Sequence, residues 1–197
     1  MSRILLYPLR FEPIYQYRLW GGRRLAGLLT APLPGDGVFL PAGTVHSLGG
    51  GVVVFEVQQN SDVTFRLYHW GHVDAKTGRP RPLQVDRALA CIDFAGRAAG
   101  PVAPVVEVAA PVSRERLFDC EYFRLWRLRG QSAFPVGAAG VPRVLICLEG
   151  AGRVERDGAT YTVGKGDVWL LPAVVGACTF QPRGPVNLLE IALPVTE

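Results

Sequence analysis

Five residues of this chain have types and spacing that suit chemistry: His46, Glu56, Arg66, His69 and His72, and the chain's three histidines all fall between positions 46 and 72. Imidazole nitrogens bind zinc, and a catalytic zinc takes three protein ligands and one open position. His69-Trp70-Gly71-His72 together with His46 would make one such three-histidine set. Glu56 sits in an apolar run, Phe55-Glu56-Val57, where an unpaired carboxylate is costly to bury. It therefore either faces a cleft, where it could handle a proton, or pairs with Arg66 from a facing strand. Plainer readings stand beside these. A neutral His46 at a turn can simply satisfy backbone groups, and Asn60-Ser61-Asp62 can be only a turn between strands.

His46 ends a segment that the chain uses twice. Gly35-Asp36-Gly37-Val38-Phe39-Leu40-Pro41-Ala42-Gly43-Thr44-Val45-His46 has a degenerate copy in Gly166-Asp167-Val168-Trp169-Leu170-Leu171-Pro172-Ala173-Val174-Val175-Gly176-Ala177. Gly, Asp, Leu, Pro and Ala recur at the same offsets, whereas Gly43 becomes Val174 and His46 becomes Ala177. One copy carries a site and the other reads as scaffold.

The elements that must position these residues are mostly strands. Runs rich in Val, Leu, Phe, Trp and Tyr, bounded by Gly, Pro or Asp-Gly, predict strands at 51–57, 63–68, 123–128, 143–148, 152–156, 160–163, 168–171 and 186–193. Asp157-Gly158 supplies the positive φ angles of a type I′ hairpin turn. One short helix is expected over 84–94, with Val85, Leu89 and Ile92 on one face, and another turn or two over 20–29. Residues 95–111 read as a linker and lead-in strand. Several short strands at this spacing suggest sandwiches or barrels.

Composition narrows the function. The net charge is +4, but the arginines are scattered and form no basic helix or aromatic-interleaved strip, so no nucleic-acid partner is expected. No apolar run reaches the roughly 18–20 residues that span a bilayer, and no secretory signal opens the chain, so neither membrane insertion nor export is expected and a cytoplasmic protein is the default. Cys91, Cys120, Cys147 and Cys178 lack Cys-x-x-Cys pairing, which removes a zinc ribbon. Cys147 and Cys178 lie in strand-like runs and read as small core residues.

Gly35, Pro41, Gly43 and His46 resemble the second motif of the cupin superfamily, whose Pro and Gly turn the chain so that the His points into a small β-barrel as a metal ligand. The stretch from Leu40 to Leu48 with Phe55 to Tyr68 resembles, more specifically, the class I mannose-6-phosphate isomerase family in its short bacterial form. Pro8-Leu9, Arg18-Leu19-Trp20-Gly21-Gly22 and Gly164 to Ala173 extend the likeness to both ends. The resemblance implies a mostly β fold of two cupin-like, jelly-roll units, the first truncated (1–97), a linker (98–112), and a structural second unit (113–197) that lacks acidic and histidine clusters. It implies isomerisation between mannose 6-phosphate and fructose 6-phosphate in carbohydrate metabolism, with zinc as the metal. Arg66 matches the substrate-facing arginine, Glu56 a carboxylate lining the site, and His46 a remnant zinc ligand to which Glu56 could be added. The family has a long segment between Trp-Gly-Gly and Pro-Ala-Gly-Thr that holds its Gln-x-His-Pro motif and three of its four zinc ligands. Here Trp20 and Pro41 stand close together and that motif is absent. Zinc binding is therefore expected to be weak or absent. The likeness also places 68–74 in a surface hairpin leading away from the barrel.

Three functions follow as expectations: a working isomerase, a catalytically inactive sugar-phosphate-binding or regulatory cupin, and a β scaffold completed by a partner chain. A barrel short of strands exposes sheet edges, which predicts either closure by the N-terminal strand or a homodimer through the first unit.

Overall fold

The computed structural model describes residues 9–11, 33–48, 53–61, 63–69, 71, 73–96 and 99–194. The chain divides into two compact units, residues 1–15 with 103–197, and residues 16–102.

The first of these is a two-sheet β structure. Its strands are β1 (Leu9–Phe11), β2 (Val105–Val108), β3 (Ser113–Asp119), β4 (Arg124–Gly130), β5 (Phe134–Val136), β6 (Arg143–Glu149), β7 (Ala151–Arg156), β8 (Ala159–Gly164), β9 (Val168–Leu171), β10 (Cys178–Pro182) and β11 (Val186–Ala192). One sheet has the order β1-β9-β6-β11-β4-β3-β2 and the other β5-β10-β7-β8, and every pairing is antiparallel. Alternation sends one side of each strand inward. Leu128, Leu145, Cys147, Leu171 and Leu188 from the larger sheet meet Phe134, Val136, Val154, Val163, Cys178 and Phe180 from the smaller in one core. Each large side chain buried this way stabilises the fold by roughly 1.5–3 kcal/mol. The 157–158 turn has φ 48° and 79°, as Asp-Gly predicts, and it joins β7 to β8. β1 adds itself to the edge of β9, opposing Leu9 to Leu170 and Phe11 to Val168.

The unit of residues 16–102 is built differently. Its described residues hold one helix, α1 (Val85–Cys91), and isolated bridges at Val38–Pro101 and Val73–Pro80. The strands expected at 51–57 and 63–68 are not formed by their described residues. Val53, Val54, Phe55 and Val63 are exposed instead, and β propensity needs a neighbour to pack against before it becomes a strand. The helix is shorter than predicted, and its face is not the predicted one: Ala88 is buried while Val85 and Leu89 are exposed. Gln84 provides no side-chain cap to α1. Its Oε1 accepts from the Arg66 N–H at 3.0 Å, and its own N–H donates to the Arg66 carbonyl at 2.9 Å. The helical turn expected over 20–29 lies outside the described residues.

The repeated segment folds the same way in both places. In the first copy the Leu33 N–H donates to Asp36 Oδ2 at 2.8 Å, and the Asp36 N–H to the Leu33 carbonyl at 3.0 Å. In the second the Gly164 N–H donates to Asp167 Oδ2 at 2.9 Å, and the Asp167 N–H to the Gly164 carbonyl at 3.0 Å. Gly35 and Gly166 take φ 94° and 86°. The Pro turns close alike, by Thr44 N–H to the Pro41 carbonyl at 3.1 Å and Val175 N–H to the Pro172 carbonyl at 2.9 Å. Gly43 reaches φ 86° at the third turn position, whereas Val174 stays out of the left-handed region, so the two turns differ in type.

Candidate functional site

Gly43 is where the first copy meets α1. A Cβ on Gly43 would fall 2.8 Å from the Cys91 carbonyl oxygen, and the Gly43 carbonyl accepts the Asp93 N–H at 3.2 Å. The glycine at the third position of the Pro-Ala-Gly-Thr turn thus fixes the chain leading to His46 against the end of the helix. His46 itself is exposed, and its Nδ1 lies 2.9 Å from the Thr44 carbonyl. A neutral ring donates there, which leaves Nε2 as the nitrogen available to a ligand.

Glu56 is exposed in a segment without regular secondary structure, and Arg66 is half-buried with its backbone clamped by Gln84. Among the described residues no ion pair joins Glu56 to Arg66, nor does any hydrogen bond join His46, Glu56 and Arg66 to one another. Gln84 is the residue that sequence reasoning missed here. Its amide is what ties Arg66 to α1, and only its place just before the helix pointed to a structural task. His69 is buried, and its Nδ1 has no hydrogen-bond partner. His72 lies outside the described residues. The following loop, 74–79, is closed by Asp74, whose Oδ1 accepts the N–H groups of Lys76 at 2.9 Å and Thr77 at 3.0 Å. Those backbone bonds hold the Asp74 carboxyl below its ordinary range.

The described residues contain no group of three His, Cys, Asp or Glu able to hold a metal ion. The donor set they offer does not meet the three-ligand requirement of a catalytic zinc.

A denser polar cluster lies in the β unit, on inward-facing positions. Glu190 is 1 % exposed, and its carboxylate accepts from Arg114 Nη1 at 2.9 Å and from the Gly137 N–H at 2.7 Å. The Arg114 and Arg143 guanidiniums lie 4.6 and 5.1 Å from the Trp126 ring centroid. Trp126 Nε1 donates to Glu107 Oε2 at 3.0 Å. Burial pushes the Arg143 pKa down, and Arg114 and Arg124 nearby add to this while Glu190 opposes it. On the opposite face Glu115 accepts from Arg127 at 2.7 Å and Arg129 at 2.5 Å. Burial alone would raise the Glu115 pKa, but these two arginines outweigh it and lower it.

A double antiparallel sheet in this order, with β9 entered through a Gly-Asp turn and left through a Pro turn, is a cupin fold. By sequence the chain is related to the mannose-6-phosphate isomerases. It is 33% identical over 154 residues to mannose-6-phosphate isomerase ManA of Bacillus subtilis, covering 73% of this chain and 45% of that protein. It is 30% identical over 159 residues to the probable mannose-6-phosphate isomerase GmuF of the same organism, covering 75% and 46%. Mannose-6-phosphate isomerase of Streptococcus mutans is 28% identical over 150 residues, covering 75% and 46%. The chain thus spans a little under half the length of these relatives. The crystal structure of mannose 6-phosphate isomerase from Bacillus subtilis superposes with a TM-score of 0.58 at 23% identity, over 67% of this chain and 41% of that one, a likeness of fold. No protein-family model matches the chain. No helix among the described residues is long and apolar enough to cross a membrane.

Proposed function

We propose that this chain is a mannose-6-phosphate isomerase-like protein whose substrate is a sugar phosphate. The observation that supports this best is the 33% identity to ManA over 154 residues. Interconversion of an aldose and a ketose moves a proton between adjacent carbons through an enediol. It needs a base within hydrogen-bond reach and a cation for the developing oxyanion. In this reading Glu56 handles the proton and Arg66 faces the enediolate or the phosphate, with His46 as a remnant metal ligand. The clamp from Gln84 supports the arginine's part, because a fixed backbone narrows where its guanidinium can reach. Residues 1–97 would be a truncated first cupin unit, joined by 98–112 to a second unit at 113–197, and the protein would work in the cytoplasm.

A second reading is favoured by the donor set: a catalytically inactive cupin that binds the sugar phosphate without a metal. The exposed apolar residues Val53, Val54, Phe55 and Val63 further support a homodimer that pairs through this region. Incubating the purified chain with mannose 6-phosphate and zinc, and following fructose 6-phosphate, separates the first two readings. Turnover that falls about a hundredfold or more in Glu56→Gln supports the isomerase. Absence of turnover with ligand-induced thermal stabilisation supports the binding protein. Sedimentation as a monomer at high concentration would remove the dimer.

A further inference from the structure

We propose that the inward end of the β unit, at Arg143, Arg124 and Trp169, binds a small oxyanion, the phosphate or carboxylate group of a metabolite. The strand register lays out the site in rows. Asp119, Arg124, Ala192, Arg143 and Leu171 oppose one another directly across β3, β4, β11, β6 and β9. The next row inward is Arg116, Trp126, Glu190, Leu145 and Trp169, and the next is Arg114, Leu128, Leu188 and Cys147. Three rows thus pass from charged to mixed to mostly apolar. Between Arg124 and Arg143 stands only the methyl group of Ala192. Two strand spacings, roughly 10 Å, separate those two backbones, so their side chains can converge on one small group above it.

The charges in these rows do not balance. Glu107 serves Arg114 at 3.3 Å and Arg116 at 3.5 Å. Asp119 serves Arg116 at 2.6 Å and Arg124 at 2.8 Å. Glu190 is committed to Arg114 and the Gly137 N–H. Four guanidiniums therefore face three carboxylates, and Arg143 is the one left over. Its Nε is 4.0 Å from Glu190, too far for a hydrogen bond, and is buried without a partner. On the adjacent strand Trp169 Nε1 is also buried without a partner. Both orphaned atoms are donors, so what the site lacks is an acceptor, and one carrying negative charge would also offset the surplus cation. A guanidinium fork binds phosphate or carboxylate oxygens side by side. The site is built from residues other than His46, Glu56 and Arg66 and does not rest on their proposed roles.

The test titrates the full-length chain with sodium phosphate and, separately, with sodium acetate, chloride holding the ionic strength constant. Nitrogen-resolved NMR follows the Arg Nε and Trp Nε1 resonances, and calorimetry gives the affinities. The expected result is a saturable shift of Arg143 Nε and Trp169 Nε1, with an affinity about tenfold or more lower in Arg143→Gln and unchanged at these resonances in Arg66→Gln. Tighter binding of phosphate names a phosphorylated ligand, and tighter binding of acetate a carboxylic acid. If neither anion shifts these two resonances, the donors are met by water alone and the proposal is overturned. It is equally overturned if Arg143→Gln binds as the parent does. Should that variant not fold, Arg124→Gln at the exposed rim must weaken binding, and the parent's own spectra decide the matter.

Discussion

The two copies of the Gly-Asp to Pro-Ala segment share their hydrogen bonds and differ in what surrounds them. Asp36 and Asp167 close the same loop, and the turns that begin at Pro41 and Pro172 differ in type but are closed by the same hydrogen bond, each bond matching its counterpart within 0.2 Å. Between those turns the second copy is strand β9, gripped by β1 and β6, with Leu171 1 % exposed. The equivalent Leu40 is 37 % exposed, and only a single bridge at Val38 marks the first copy. Turns are written by their own residues, since an Asp carboxylate or a Gly at positive φ acts within a few positions. A strand is written by its neighbours.

Leu171→Ala should produce the largest contrast. It is expected to cost about 2–5 kcal/mol in urea unfolding, against less than about 0.5 kcal/mol for Leu40→Ala. Equal losses would mean that the first copy packs as tightly as the second. Asp167→Ala comes next, at about 1–2 kcal/mol, because it removes the Gly164 bond and the 2.6 Å ion pair with Arg10 together. Asp36→Ala should lose less, having only the loop bond. Gly43→Ala should cost about 1 kcal/mol and act locally, through strain at φ 86° and crowding of the Cys91 carbonyl. Amide exchange should quicken at Thr44 and Asp93 and stay unchanged at Val175.

The smallest effect concerns acid. Glu115 has a lowered pKa in the fold, so its ion pairs stabilise the β unit above the ordinary value of 4.5 and are lost as pH falls through the lower folded value. Melting temperature should fall below about pH 4.5 more steeply in the parent than in Glu115→Gln. Parallel acid profiles would show that the Arg127 and Arg129 pairs contribute nothing.

Much of the β unit was legible because its inward positions are apolar. The runs at 143–148, 152–156, 160–163, 168–171 and 186–193 became β6, β7, β8, β9 and β11 with ends shifted by one residue at most. Strand β3, Ser113–Asp119, was not legible, and the reason is the polar cluster. Its inward side chains include Arg114 and Arg116, which pair with carboxylates, so no alternation of apolar residues exists to be read. The same residues looked like scattered charge because the cluster is assembled from β2, β3, β4, β6 and β11. The unit expected to be structural, for want of acidic and histidine clusters, holds closely bonded charges at Glu190 and Glu115. The roles proposed for His46, Glu56 and Arg66 rest on motif resemblance alone. The strands expected to carry Glu56 and Arg66 depended on pairing partners that no local pattern encodes. Both interior thiols were legible, and burial raises the Cys147 pKa to about 11, which keeps it protonated and unreactive.

β1 has a consequence for how the molecule assembles. Its partner β9 and its ion-pair partner Asp167 lie some 157 positions further along the chain. Closing so long a loop is entropically costly before any contact repays it. A chain emerging from a ribosome must hold residues 9–11 unpaired until residues 168–171 have been made. Three residues then pair with the edge of β9 in the larger sheet. During that wait residues 9–11 keep their backbone groups unpaired and open to any other extended chain, which makes synthesis a moment at which this protein is prone to aggregate.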